Sequence, residues 1–184
     1  AGMARKPHMI GADGGSVDPG PYYLGAGKAF CSNLAMKRDL RLMLRAGVEA
    51  NVPVVVSTAG GAGGAPHVEN IVKMVRDIAK EDGLKFRLAV IHSEQSKDDV
   101  IKWIDQGRVR ALGGQPALNR ATVERSARIV GAMGPEPYVE ALDAGADVII
   151  TGRSTDPAPW AAMALRAQLP AAPAWYAGKM LECG

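Results

Sequence analysis

The sequence predicts an α/β fold: a mostly parallel β-sheet with helices on both faces, made of repeated βα units. Three observations carry this. Short apolar runs alternate with polar loops and amphipathic stretches at least four times, the pattern of a parallel sheet wound with helices. The runs, such as Val54-Val55-Val56 and Val148-Ile149-Ile150, are continuously apolar, as strands buried on both faces should be. The glycines cluster after these runs, which indicates shaped loops rather than a flexible linker.

The first expected strand is His8-Met-Ile-Gly-Ala-Asp13, which ends in an acid. Residues 14–27 follow, punctuated by glycine and proline too often for regular structure, and read as a long, specific loop. Asp18 in that loop is either a functional acid or an Asx-type turn ahead of Pro19. Ser32 or Asn33 can cap the next helix, whose Met36, Leu40, Met43, Leu44 and Val48 share one face. Val54-Val55-Val56 is the second strand. Ser57, Thr58 and four glycines (Gly60, Gly61, Gly63, Gly64) lead from it to Pro66, which suits the start of a helix.

Val68, Ile71, Val72, Val75 and Ile78 then repeat at three and four, the clearest amphipathic helix in the chain. Phe86 to Ile91 is the third strand, and His92-Ser93-Glu94 emerges from its end. Ser96 caps a helix stopped by Gly107, and Arg108 to Leu112 reads as a further short strand. Asn119 opens a helix carrying Val123, Ala127, Ile129 and Val130, and Pro135 marks the start of the next. Asp147 to Thr151 is the fourth main strand, followed by Gly152-Arg-Ser-Thr-Asp-Pro157 and a helix over residues 158–168.

The 184 residues read as a single α/β domain, 1–184. The closing Lys179-Met-Leu-Glu-Cys-Gly184 gives the impression of the N-terminal part of a longer protein. A net charge of +3 without a basic stripe argues against nucleic acid, and no apolar run has membrane-spanning length. Cys31 and Cys183 match no metal or redox spacing, and so few cysteines suit a reducing cytoplasm.

In parallel sheets ligands bind beyond the carboxyl ends of the strands. There this sequence places Asp13, then Ser57 and Thr58, then His92, Ser93 and Glu94, then Thr151, Arg153, Ser154 and Asp156. The glycine loop with Gly60, Gly61, Gly63 and Gly64 leads into a helix start and is either an anion pocket or a tight βα turn. Arg153 can fork onto a carboxylate or phosphate, or pair with Asp156 or Asp13. Asp13, Asp18, His92 and Glu94 are the candidate proton carriers, His92 with Glu94 as base and orienter if the third strand continues past Ile91. Those four residues and Asp156 could instead take a divalent metal, but no two have a diagnostic ligand spacing, so no metal is assigned, and the residues name no cofactor. No Gly-x-Ser-x-Gly elbow is present. His67, in the first turn after the glycine loop, either reaches a ligand there or is a surface histidine.

Gly11-Ala-Asp-Gly-Gly-Ser-Val-Asp-Pro-Gly-Pro-Tyr-Tyr-Leu-Gly25, Ser57-Thr-Ala-Gly-Gly-Ala-Gly-Gly64 and Gly152-Arg-Ser-Thr-Asp156 together resemble the acyclic terpene utilisation AtuA family, from about Ile10 onward. The resemblance implies a place in acyclic terpene or related acid degradation. It also implies full-length members that continue beyond residue 184. It carries no catalytic residues across.

On these grounds the expected function is a cytoplasmic catabolic enzyme acting on a small carboxylic acid or acyl-CoA, of lyase or hydratase type. The alternative is a non-catalytic ligand-binding or subunit-assembly module, with a homo-oligomer or a further C-terminal domain completing it.

Overall fold

A computed structural model describes residues 2–182. Four parallel strands, β1 (Ile10–Asp13), β2 (Val54–Ser57), β3 (Leu88–Ile91) and β4 (Val148–Thr151), form one sheet in the order β1-β2-β4-β3. The expected α/β fold is what the chain adopts. Every residue of the central strands β2 and β4 is buried, which is why their sequences are continuously apolar up to the last position.

Helices α1 (Tyr22–Ala26), α2 (Asn33–Ala50), α3 (Ala65–Asp82), α4 (Lys97–Asp105), α5 (Arg120–Arg125), α6 (Glu136–Asp143), α7 (Ala158–Arg166) and α8 (Ala171–Glu182) surround the sheet. Alternation along each strand divides the core. Val54, Val56, Val148 and Ile150 pack against Leu40 and Leu44 of α2 and Val68, Ile71, Val75 and Ile78 of α3. Val55 and Ile149 face the other way, onto Tyr138 and Leu142 of α6 and Ala158 and Ala162 of α7.

This division locates the crevice. The chain leaves β2 toward the face of α3 and leaves the neighbouring β4 toward the face of α7. Two adjacent strands whose connections part to opposite faces make a topological switch point, the usual binding crevice of open α/β sheets.

Several elements depart from the expectation. Arg108–Leu112 is not a strand; it has no ladder partner and only Val109 is part-buried. α5 stops at Arg125 instead of carrying Ala127, Ile129 and Val130. The backbone there pairs across space, Gln95 N–H donating to Ile129 O at 2.8 Å and Gly131 N–H to Ser93 O at 2.9 Å. Residues 130–133 thus bridge Glu94 to Ser154 just past the sheet edge. α8 follows Pro170 and holds Pro173 near its start, where a proline is tolerated.

Candidate active site

The core of the site is at the carboxyl ends of β1, β2 and β4. Asp13 and Ser57 are register partners, so their side chains leave the sheet on the same face. The Ser57 hydroxyl donates to Asp13 Oδ1 at 2.9 Å, and the Gly15 N–H donates to the same oxygen at 3.1 Å. Burial pushes the Asp13 carboxyl above its ordinary range, and the charge of Asp156 pushes it further. The Ser57 and Gly15 hydrogen bonds and the Arg153 guanidinium pull the other way.

The loop after β4 is bolted to its neighbours through buried hydroxyls. Ser93 Oγ accepts the Arg153 N–H at 2.6 Å and donates to Gly63 O at 3.2 Å. Tyr138 reaches in from α6 to Thr151 Oγ1 at 2.8 Å and Ser154 Oγ at 2.9 Å. Thr58 accepts the Ser154 N–H at 3.3 Å. Thr58 is fully buried with φ 43°, a left-handed conformation strained for a β-branched residue and characteristic of functional loops.

These bolts position Arg153. Its side chain is 18% exposed and its charged contact is Asp156, at 4.0 Å, so the fork is not saturated. It lines a cavity of about 310 Å³ with Ser16 and the apolar Val17, Pro21, Leu24 and Val130. Asp13, Asp156 and Glu182 each bring one carboxylate oxygen within 4.8 Å of the others, donor chemistry that could take a divalent cation. A larger groove of about 670 Å³ lies between α7 and α8. It contains none of the residues above, and its rim charges Arg166 and Asp143 neutralise each other at 2.7 Å.

Other expected site residues are placed elsewhere. Asp18 is exposed and makes a local turn with Ser16, accepting its hydroxyl at 3.2 Å. β3 ends at Ile91, so His92 and Glu94 do not share a strand face; His92 is exposed. Glu94 turns to the start of α3, accepting the Ala65 N–H at 2.6 Å, and pairs with Arg128 at 2.9 Å. The anion at that helix start is therefore the chain's own carboxylate.

The glycine loop is a close-packed turn. Gly60, Gly61 and Gly63 have positive φ, and a Cβ on Gly63 would come within 2.3 Å of the Arg153 nitrogen. Gly61 and Gly63 donate to Thr58 O and Ala59 O within the loop, while Gly64 is the N-cap position of α3. Cys31 is exposed, and Cys183 lies outside the described residues.

Ser93 and Tyr138 are the structurally central residues that sequence reasoning underrated. Ser93 was expected beyond the third strand together with His92 and Glu94, but nothing in the sequence singled it out from those two neighbours. Tyr138 reads as a core residue of its helix, and nothing local marks its hydroxyl.

Among protein families, residues 28–184 match the one described as acyclic terpene utilisation family protein AtuA. The loop from Asp13 to Gly27 lies before the matched span. No curated protein and no solved structure matches the chain. No helix among the described residues is long and apolar enough to cross a membrane.

Proposed function

The chain belongs to the acyclic terpene utilisation AtuA family, and from that premise we propose that it binds a small carboxylic acid or its CoA thioester at the switch-point crevice and moves a proton on it, as a lyase or hydratase does. One observation supports this above the others. Arg153 is a largely buried, unsaturated guanidinium facing a mostly apolar cavity, within electrostatic reach of Asp13, whose proton affinity burial raises and which lines a second cavity of about 250 Å³. An ionic head with a hydrocarbon body suits that combination.

The chemistry follows from the two groups. Taking a proton from the carbon beside an acyl group builds negative charge on the acyl oxygen, and Arg153 would stabilise it. Ionised Asp13 would accept that proton, and protonated Asp13 would return one in the reverse direction. Ser57 and the Gly15 amide hold the Asp13 oxygen they share, leaving the other free.

A thermal-shift panel of CoA, acyl-CoAs, short branched acids and divalent metals tests the reading. A ligand at 100 times its dissociation constant stabilises by about 2.7 kcal/mol, a rise of several degrees for a domain of this size. A response to acids or thioesters supports the site; a response to none of them removes it. A second reading, subunit assembly, is favoured by the exposed Leu169, Tyr176, Met180 and Leu181 at α8.

A further inference from the structure

The outer wall of the cavity is the segment from Ser16 to Leu24, and little apolar burial holds it. α1 buries none of its five residues. Within residues 16–30, the backbone hydrogen bonds that leave the segment sit at its ends, Ser16 N–H to Gly61 O at 3.1 Å and Phe30 N–H to Gly60 O at 3.2 Å. The bonds between them are local, such as Gly25 N–H to Pro21 O and Lys28 N–H to Tyr23 O.

His67 fills that gap. It is 1% exposed, in the first turn of α3, and its Nε2 lies 3.1 Å from Tyr23 O and 2.9 Å from Lys28 O. Both partners are carbonyl oxygens, which only accept, so Nε2 carries the hydrogen and donates to both. Buried Nδ1 has no partner, so nothing competes for the ring's orientation. The packing around it is close. A Cβ on Gly60 would meet the His67 Cβ at 3.0 Å, one on Gly64 would meet Leu24 at 3.1 Å and His67 Nδ1 at 3.2 Å, and one on Gly27 would meet Pro66 at 3.3 Å.

We propose that His67 is a positioning residue that latches the cavity's outer wall to the rigid start of α3, so that Leu24 and Pro21 stay over Arg153. The latch itself is independent of the ligand; its consequence for binding rests on the reading of the cavity given above.

Amide hydrogen exchange on His67→Leu and His67→Gln tests it. Leucine fills the space without a donor, while glutamine offers an N–H of similar reach. In His67→Leu the amides of Gly25, Gly27 and Lys28 should exchange about tenfold or more faster, with the strand amides of β2 and β4 unchanged. In His67→Gln they should stay near the wild-type rate. Unchanged exchange in His67→Leu would overturn the latch. So would equal loosening in both variants, or loosening that spreads evenly through the sheet.

A second arm titrates octanoate. Wild type and His67→Gln should bind it alike and His67→Leu about tenfold more weakly. If His67→Leu loosens the wall yet binds octanoate as wild type does, the wall does not govern binding and the proposal fails. If wild type itself takes up no octanoate, the carboxylic-acid reading fails, and the exchange result still decides the latch.

Discussion

Asp13 is held by two donors and surrounded by mixed charge, and its ionisation has a defined consequence for stability. Its folded value lies above the ordinary 3.8, mainly through burial. Its stabilising contribution is therefore complete below that ordinary value and is lost as pH rises through the raised folded one. Asp13→Asn keeps an acceptor for Ser57 and Gly15 but cannot ionise. The stability difference between the two proteins should swing toward the variant from acid to neutral pH. Thermal unfolding across that range checks it; a flat difference would mean that folding leaves the Asp13 ionisation unchanged, and a swing toward wild type would mean that ionised Asp13 is stabilised in the fold. Arg153 differs in kind from the surface cations. Lys73 and Arg166 have partners at 2.8 and 2.7 Å, whereas its own is at 4.0 Å.

At the scale of elements, the site is a junction of three βα loops, and Ser93 is the pin through it. One buried hydroxyl holds the backbone of the loop after β4 and that of the loop after β2. Ser93→Ala leaves the Arg153 amide and the Gly63 carbonyl without their partner. It should lower stability by about 1–3 kcal/mol, a fall of several degrees in Tm. A Tm within one degree of wild type, by calorimetry, would show that water replaces the hydroxyl at no cost. Gly152 leaves the room the pin occupies, because a Cβ there would lie 2.3 Å from Ser93 Oγ. α8 belongs to a different question. Leu169, Tyr176, Met180 and Leu181 are each more than half exposed. If they assemble subunits, sedimentation should show association that Tyr176→Glu abolishes; a wild-type monomer at all concentrations removes that reading.

For the whole molecule, the four strands were legible because central parallel strands must be apolar on both faces, and Val54–Val56 and Val148–Ile150 are. The common edge of Asp13, Ser57 and Arg153 followed from the same pattern. What sequence could not supply was set by pairing at a distance. Whether β3 continued to Glu94 depended on residues 129–131 taking up the 93–95 backbone, and that pairing also shortened α5. The glycine loop and helix start read equally as an anion pocket or a tight turn, and nothing local marked Glu94 as the carboxylate that would meet the Ala65 amide. Glu182 joins Asp13 and Asp156 from the far end of the chain, with no local signal at all. α8 had no sequence expectation; its Pro173 falls near the helix start, where a proline is tolerated.

The central claim is that Arg153 is the anion clamp of this crevice. Calorimetric titration of the best-stabilising acid or thioester into wild type and Arg153→Ala tests it most directly. Loss of a charged hydrogen bond should weaken binding by about 1.5–3 kcal/mol, with the fold retained by circular dichroism. Equal affinity in the two proteins would contradict the assignment and place the anion elsewhere on the molecule.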